Sequence, residues 1–342
     1  MARTQLAIST FNLLNLQQPG EALYFNTRPW TQAEYDRKVA WSARIMGEMA
    51  SDVWGFQELW DGQGLTDILA QAGLAGTHTA LAPPGHDGRS IVCAAAVRSD
   101  ILRGDAEWIT DFPDDFILES TGGGDPQAPD IKVEINRFSR PVLHFRARPR
   151  SNGRDIHFYV CHFKSKSPTR IDREAWYSRN TYSRHSEALG AAISTVRRTA
   201  EAAALRMILT ERMKDTDTPV VVLGDLNDAQ ISNTLNIVTG QPNYILSGLN
   251  EGGSDVDLYT VASLQELRSL RDVYYTHIYQ NLKESLDHVL VSQEFYDNSR
   301  RRIWAFKGMD VSNDHLNDDD HRTTGTADHG VVRARFEYRP AR

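Results

Sequence analysis

Short apolar runs separated by polar turns dominate the pattern of this chain. LAISTFNL at 6–13 alternates apolar and polar positions, which predicts a β-strand. Further short runs, rich in branched and aromatic side chains, also predict strands. They lie at 52–58, 91–97, 141–147, 155–163, 219–225, 286–292 and 329–336.

Two longer stretches have a helical pattern instead. TQAE at 31–34 predicts a helix start, with Thr31 as N-cap and Glu34 completing a capping box. The helix that follows places apolar residues on one face, namely Tyr35, Val39, Met46 and Met49. A second helix, at about 186–214, is rich in Ala, Leu, Glu and Arg. Strands that alternate with helices early and crowd together late indicate an α/β or α+β protein with more than one sheet.

Length and composition favour one large domain. With 342 residues, 40% of them hydrophobic, the chain has enough apolar material for a sizeable core. The turn-rich stretch at 120–130 is typical of a loop, and no Pro/Ser-rich linker divides the sequence. We therefore expect a single domain over residues 1–342, with a basic and aromatic insertion at about 164–190.

Charge and cysteine content exclude several classes of protein. A net charge of −7 disfavours a generally basic nucleic-acid coat protein, although an enzyme needs positive charge only at its site. Cys93 and Cys161 do not make a disulfide framework or a four-cysteine zinc site. The first residues lack a signal-peptide pattern, and no apolar run approaches a membrane span. We expect a cytoplasmic protein that binds no membrane and has no obligate protein partner.

Polar residues stand at the ends of several predicted strands. Taken singly, each is typical of a turn or of a satisfied polar group. As a set, their acidic and amide oxygens favour Mg²⁺ or Mn²⁺, with Ca²⁺ as an alternative, over zinc. Two histidines that can hydrogen-bond phosphate oxygens complete the groups needed for phosphoester hydrolysis. The set comprises Asn12, Glu58, His162, Asp225, Asn227, Asp287, Asp328 and His329.

The ordered motifs resemble the endonuclease/exonuclease/phosphatase superfamily, which contains deoxyribonuclease I, exonuclease III and the neutral sphingomyelinases. The matching segments, in chain order, are TFNL, WGFQE, FSRPVL, VCHFKSK, VLGDLND, SLDHVLVS and ADHGVV. This resemblance implies a four-layer α/β sandwich, in which two packed mixed sheets are flanked by helices. It also implies an active site where the strand ends of both sheets meet.

The resemblance implies a role for each strand-end residue. Glu58 and Asn12 resemble the main metal site, and Asp328 a further carboxylate on the metal side. Asp225 resembles the residue that orients or deprotonates the attacking water, and Asn227 the amide that fixes water or phosphate. His329, held by Asp287, resembles the phosphate-contacting histidine. His162 resembles the second catalytic histidine of the deoxyribonuclease and sphingomyelinase branches, and Arg140 a phosphate contact.

Departures from the family narrow the substrate. VCHFKSK replaces the Tyr-x-Pro-Asn segment of the exonuclease III branch, which disfavours abasic-site repair. Leu14 stands where a second metal ligand would be, so one metal site is expected. SLDHVL replaces the Trp-Cys-Asp-Arg motif of the inositol phosphatases. The Glu that pairs with His162 in the deoxyribonuclease branch is missing, and we take Asp87 as the candidate partner.

The segment 164–185 is the most basic part of the chain. It holds six Lys or Arg against two acids, a net of +4, with aromatic residues between them. One interpretation is an arm that binds nucleic-acid phosphates and stacks bases, and the other is a solvated loop packed on the next helix. The arm's candidate substrate-binding residues are Lys164, Arg170, Arg173 and Trp176. HLNDDDHR at 315–322 is better explained as an acidic turn than as a calcium loop.

Three hypotheses follow for function. The leading one is a divalent-metal-dependent phosphodiesterase, specifically a nuclease that cleaves DNA or RNA. The second is a phosphoesterase acting on a lipid or small molecule, in the manner of the sphingomyelinases. The third is an inactive scaffold that has kept the fold.

Overall fold

Two mixed six-stranded β-sheets pack face to face in this protein. The structure is a computed structural model, and it describes residues 3–24, 26–242, 255–267, 274–279, 282–318 and 320–341. Its strands are β1 (Gln5–Leu16), β2 (Val53–Leu59), β3 (His78–Leu81), β4 (Val92–Arg98), β5 (Leu102–Asp111), β6 (Glu119–Ser120), β7 (Ile131–Lys132), β8 (Arg137–Ala147), β9 (Ile156–His162), β10 (Val220–Asp225), β11 (Tyr259–Thr260), β12 (His277–Tyr279), β13 (Leu282–Glu284), β14 (Asp287–Val291), β15 (Trp304–Ser312) and β16 (Val331–Tyr338).

The first sheet has the order β15-β16-β1-β2-β4-β3, and the second has the order β11-β14-β10-β9-β8-β5. Parallel pairs lie near the middle of each sheet, β1 with β2 and β9 with β10. The short strands form two separate hairpins, β6 with β7 and β12 with β13. The helices are α1 (Gln32–Met49), α2 (Gly62–Gln71), α3 (Arg179–Tyr182), α4 (Ser186–Met213), α5 (Asn233–Thr239), α6 (Val261–Glu266) and α7 (His321–Thr324).

Three apolar clusters hold the layers together. The central cluster lies between the sheets and joins side chains such as Ile8, Val160 and Leu223. A second cluster packs α1 and α2 on the outer face of the first sheet. A third packs α4 and α5 on the outer face of the second sheet. Because each sheet buries both faces, its central strands are nearly continuous apolar runs. The layers run helix, sheet, sheet, helix, which confirms the predicted four-layer sandwich.

Most predicted elements agree with the structure. The predicted capping box at the start of α1 is present, and its apolar face is buried as predicted. The sequence did not indicate β5 or β15. Polar residues at mostly exposed positions obscure the pattern of β5. A register shift between Phe306 and Gly308 breaks the period of β15. In the described ranges no helix is both long and apolar enough to cross a membrane.

Candidate active site

Strand register brings three of the predicted site residues side by side. On the parallel neighbour β9, His162 is aligned with Asp225 at the end of β10. On the antiparallel neighbour β14, Asp287 is aligned with the same Asp225. At Gly224, one residue before Asp225, a side chain would not fit, because a Cβ there would lie 1.9 Å from the Cys161 carbonyl oxygen. Gly224 therefore lets the backbones approach closely beside Asp225.

Asp225 lies at the centre of the cluster, with its side chain almost fully buried. One oxygen, Oδ1, accepts a 2.8 Å hydrogen bond from the backbone N–H of Asn227. The other, Oδ2, accepts a 3.2 Å hydrogen bond from Asn12 Nδ2 and lies 3.6 Å from His162 Nε2. Burial raises the pKa of Asp225 to about 7, the His329 charge opposes the shift, and Asp287 adds to it.

His329 is held between two carboxylates. Its Nδ1 makes a 2.7 Å hydrogen bond with Asp287 Oδ2, and its Nε2 lies 3.9 Å from Asp225 Oδ2. Burial lowers the pKa of His329, but the charges of Asp287 and Asp225 outweigh it and the pKa is well above the usual value. The imidazolium that results can donate a hydrogen bond to an anion from Nε2. This arrangement matches the one implied by the resemblance.

Glu58 ends β2 in a left-handed backbone conformation, with φ of +60°. Its Oε1 accepts a 3.3 Å hydrogen bond from Asn12 Nδ2, and its Oε2 accepts a 2.9 Å bond from the Asn15 backbone N–H. Burial raises the pKa of Glu58, and the neighbouring carboxylate of Asp328 raises it further. Asn12 therefore connects Glu58 to Asp225 through a single amide group.

The donor set at Glu58 and Asp328 fits a divalent cation. The two carboxylates repel each other, and within the described part of the chain neither is within 4.0 Å of a Lys, Arg or His nitrogen. Hard carboxylate oxygens of this kind suit Mg²⁺ or Mn²⁺. The predicted third ligand, Asn12, instead turns its Nδ2 toward Glu58, while its Oδ1 accepts a 3.0 Å hydrogen bond from the Leu14 N–H. Asp328 also offers an oxygen within 4.8 Å of ring nitrogens of His277 and His329. His277 is thus a neighbour of the metal-side carboxylate that the sequence did not indicate.

Lys38 is another site neighbour missed in the sequence. It is completely buried on α1, and its Nζ donates a 2.8 Å hydrogen bond to the Thr326 carbonyl. Burial lowers the pKa of Lys38 to about 7, while Asp328 and Glu58 act in the opposite direction. In the sequence, Lys38 stands out only as a charged residue three positions after Tyr35, on the apolar face of the predicted helix. Lys38 therefore places a basic group near the carboxylates of Glu58 and Asp328. Its hydrogen bond to Thr326 also fixes the turn that leads to Asp328.

Arg140 and Lys164 lie at the edge of the cluster, as predicted. Arg140 Nη1 donates a 3.1 Å hydrogen bond to the Phe163 carbonyl, directly after His162. Burial lowers the pKa of Lys164 to about 8, and the charge of Arg140 lowers it further. Tyr24, which the sequence did not indicate, lies close enough to Glu58 and Arg140 for both to act on the pKa of its phenol, which burial raises.

The remaining residues of the predicted arm contact their own segment. Arg170 pairs with Asp172 at 2.7 Å, and Trp176 packs edge-on against Tyr182 with ring centroids 5.2 Å apart. Arg173 lies in the same short turn, at Ile171–Arg173. The segment also packs on α4, where the Thr169 N–H donates to the Gly190 carbonyl at 3.1 Å. The structure thus brings Lys164 to the site, whereas Arg170 and Trp176 make their contacts within the segment.

His162 has a different environment from the one expected. The suggested partner Asp87 is wrong, because its carboxylate accepts from the Arg89 N–H at 3.0 Å. Among the described residues, the buried Nδ1 of His162 has no hydrogen-bond partner. Burial, followed by the charges of Arg140 and His329, lowers the pKa of His162 well below its usual value. A neutral ring therefore faces Asp225.

The acidic segment 315–322 contacts the backbone of the site at His329. His315 Nε2 makes a 2.9 Å hydrogen bond with the His329 carbonyl, and its ring packs edge-on against Trp41 at 4.6 Å. Asp320 caps α7 by accepting from the backbone N–H groups of Arg322 and Thr323. Among the described residues of this segment, Asp320 thus acts as a helix cap and His315 as a support for the turn at His329.

Two packed sheets with a carboxylate, amide and histidine cluster at their strand ends define a phosphoester-hydrolase architecture. The chain belongs to the Endonuclease/Exonuclease/phosphatase family, whose sequence profile matches residues 9–329. Members of this family are metal-dependent phosphoester hydrolases. A search of curated protein sequences gave no match.

Solved structures of the same fold span nearly the whole chain. A humanized D. rerio TDP2 has a TM-score of 0.55 and 14% identity, covering 97% of this chain and 99% of its own. The human Nocturnin catalytic domain has a TM-score of 0.55 and 13% identity, covering 98% and 95%. A mannosyl-6-phosphatase from Bacteroides thetaiotaomicron has a TM-score of 0.55 and 13% identity, covering 97% and 100%. At these identities the likeness shows the fold.

Proposed function

We propose that this protein is a divalent-metal-dependent phosphodiesterase, and specifically a nuclease that hydrolyses DNA or RNA. The observation that carries the proposal is the position of Asp225. Its Oδ2 lies 3.2 Å from Asn12 Nδ2, 3.6 Å from His162 Nε2 and 3.9 Å from His329 Nε2. A carboxylate beside two imidazoles and an amide can hold a water and a phosphate together.

Side chains of the cluster each have a separate role in the proposed hydrolysis. Asp225 orients the attacking water and accepts its proton. The N–H groups of His329 and His162 donate to the phosphoryl oxygens as negative charge develops there, and Asp287 keeps His329 oriented and charged. A divalent ion held by Glu58 and Asp328 would supply further charge for a phosphoryl oxygen and the leaving oxygen, and the Asn12 amide keeps Glu58 beside Asp225.

Positive charge beside the site supports a substrate with several phosphates. Arg140 donates to the Phe163 carbonyl directly after His162, and its charge acts on both Lys164 and Glu58. Phosphate contacts of this kind contribute most of the affinity for nucleic acids. Among the proteins of the same fold, one is described as a mannosyl-6-phosphatase, so a small phosphoester is the alternative that an experiment has to separate.

The test is hydrolysis by purified protein with Mg²⁺, Mn²⁺ or EDTA. The substrates are plasmid DNA, single-stranded DNA, RNA, bis-p-nitrophenyl phosphate, mannose 6-phosphate and sphingomyelin. Asp225→Asn, which keeps the shape of the side chain, serves as the blank. We expect polynucleotide cleavage that requires metal and falls at least ~100-fold in Asp225→Asn.

Each outcome has a distinct meaning. Hydrolysis of mannose 6-phosphate or sphingomyelin alone would support a phosphoesterase at this site and would reject the nuclease function. No hydrolysis of any substrate, together with no change in Tm on adding metal, would support the inactive scaffold.

A further inference from the structure

A groove runs along the start of β8 and the exposed side of α4. It has a volume of about 800 Å³. Arg137 and Ser139 line its β8 side, and Arg197 lies on its α4 side. Ile193 and Val196 of α4 add apolar surface, and Val196 is 42% exposed. The groove therefore combines cationic walls with an apolar floor.

The two arginines of this groove are available to a ligand. Within the described ranges, neither Arg137 nor Arg197 has a carboxylate within 4.0 Å. The acid on the rim, Glu134, is already paired with Lys132 at 2.9 Å. Two exposed arginines elsewhere, Arg44 and Arg154, are each paired with an acid. Asp111 is the register partner of Arg137 on β5 but makes no ion pair with it in the described ranges, so the guanidinium groups of Arg137 and Arg197 keep N–H donors for a ligand.

Buried Glu201 joins this groove to the catalytic centre. One of its oxygens accepts a 2.8 Å hydrogen bond from the Ser139 N–H, and the other accepts a 2.7 Å bond from the Lys164 N–H. Ser139 lines the groove, and Lys164 follows the strand of His162 by two residues. Arg140 and Arg197 both lie close enough to Lys164 for their charges to lower its pKa. Glu201 therefore links the groove at Ser139 to Lys164, which directly follows the strand of His162 and its neighbour Phe163.

We propose that this groove binds the sugar-phosphate backbone of a polynucleotide strand as it leads away from the cleaved linkage. The inference rests on the proposed nuclease function and specifies its substrate as a chain of several nucleotides. Arg137 and Arg197 contact phosphates beyond the one at Asp225. The aliphatic floor at Val196 and Ile193 lies against sugars or bases. Guanidinium groups suit this task because they bind phosphate oxygens through two N–H groups at once.

The direct test is binding of a fluorescently labelled, single-stranded 12-nucleotide oligomer, followed by anisotropy in EDTA at several KCl concentrations. The groove variant is Arg137→Ala with Arg197→Ala. The matched control is Arg44→Ala with Arg154→Ala, which removes the same charge from exposed sites elsewhere. We expect the groove variant to bind roughly 10- to 100-fold more weakly. Its salt dependence should also be shallower, by about 1.4 in the slope of log K against log[salt].

Hydrolysis separates this inference from the proposed function. We expect the groove variant to have a raised KM on the 12-mer and unchanged turnover of bis-p-nitrophenyl phosphate, which is too small to reach the groove. Equal binding by the groove and control variants would overturn the inference, as would an equal loss on both substrates. Failure of wild-type protein to hydrolyse any diester would reject the proposed function, whereas the EDTA binding result would still decide whether the groove holds a strand.

Discussion

Glu58 occupies a backbone region that residues other than glycine rarely adopt. Leu14, Asn15 and Asn227, which flank the same strand ends, also have positive φ angles of 49°, 51° and 52°. Each such residue costs on the order of 1–3 kcal/mol, and it persists only where the surrounding structure fixes it. Strain collected at one edge of the sheets is typical of a functional centre, and here it orients the side chains of Glu58 and Asn227.

The carboxylate of Asp287 should be needed for turnover because it keeps His329 charged. Asp287→Asn keeps an oxygen for His329 Nδ1 but removes the charge that favours the imidazolium. We expect turnover of bis-p-nitrophenyl phosphate to fall at least ~100-fold, with little change in KM. Far-ultraviolet circular dichroism and the urea midpoint check that the fold is retained. Near-normal turnover in a folded variant would remove the Asp287–His329 pair from the reaction.

Some site residues could be predicted from sequence because their signal is local. Asp225 and Asn227 directly follow a buried apolar strand, where polar side chains are out of keeping with their neighbours. Lys38 and His277 could not be predicted this way. Lys38 is buried because α1 packs on a turn that lies 288 residues away along the chain. His277 lies on the β12–β13 hairpin and reaches the site through a bridge to His329, 52 residues further along the chain.

Among the secondary-structure elements, α4 connects the basic segment to the sheets. Gly190 lies where this helix meets the loop after β9, and a Cβ there would lie 2.3 Å from the Thr169 carbonyl oxygen. Only glycine allows the loop and helix backbones to approach so closely. The position of the basic segment thus depends on one residue of the long helix.

Two glycine substitutions test the close packing of the loop on α4. Gly190→Ala should lower the free energy of unfolding by about 1–3 kcal/mol, because the loop must move. Gly47→Ala on α1 is the control, since a Cβ there meets nothing within 4 Å. It should raise stability by up to about 1 kcal/mol. Urea denaturation measures both, and equal effects would contradict the close packing of the loop on α4.

The predicted role of Arg170, Arg173 and Trp176 in substrate binding stays a prediction. Replacing Arg170, Arg173 and Trp176 with Ala tests this role directly. A raised KM on polynucleotide with unchanged hydrolysis of a small diester would support the role. The sequence left this point open because the direction of a loop depends on packing partners, here α4.

At the scale of the whole molecule, acid should destabilise the fold through a histidine pair outside the strand-end cluster. His144 Nε2 lies 2.8 Å from His157 Nδ1, and His144 Nδ1 lies 2.6 Å from Glu107 Oε1. Burial lowers the pKa of His157 to about 4, and the charges of Arg212 and His144 add to the shift. A histidine in an unfolded chain titrates near pH ~6.5.

The sign of the pH effect follows from these pKa values. Because the folded state binds its proton less readily than the unfolded state, stability from His157 is complete above pH ~6.5 and is lost as the pH falls toward about 4. His157→Gln removes the titration, so its Tm should fall less between those pH values than the wild-type Tm. Parallel Tm curves for the two proteins would show that His157 does not contribute.

The layer order of the fold could be predicted from the sequence, because apolar runs and ordered motifs are distributed along almost the entire chain. The groove between β8 and α4 could not, since Arg137 and Arg197 are distant in sequence and line one groove only when α4 packs beside β8. The expectation of a single domain over residues 1–342 stays a prediction, although the family profile matches residues 9–329.

The most direct measurement is the rate of bis-p-nitrophenyl phosphate hydrolysis as a function of Mg²⁺ concentration, for wild-type protein and Glu58→Gln. We expect no turnover in EDTA and saturation by Mg²⁺ in the wild type. In Glu58→Gln we expect at least a ~100-fold lower rate and a higher Mg²⁺ requirement. Turnover that persists in EDTA, or that is undiminished in Glu58→Gln, would contradict a metal-dependent centre at these strand ends.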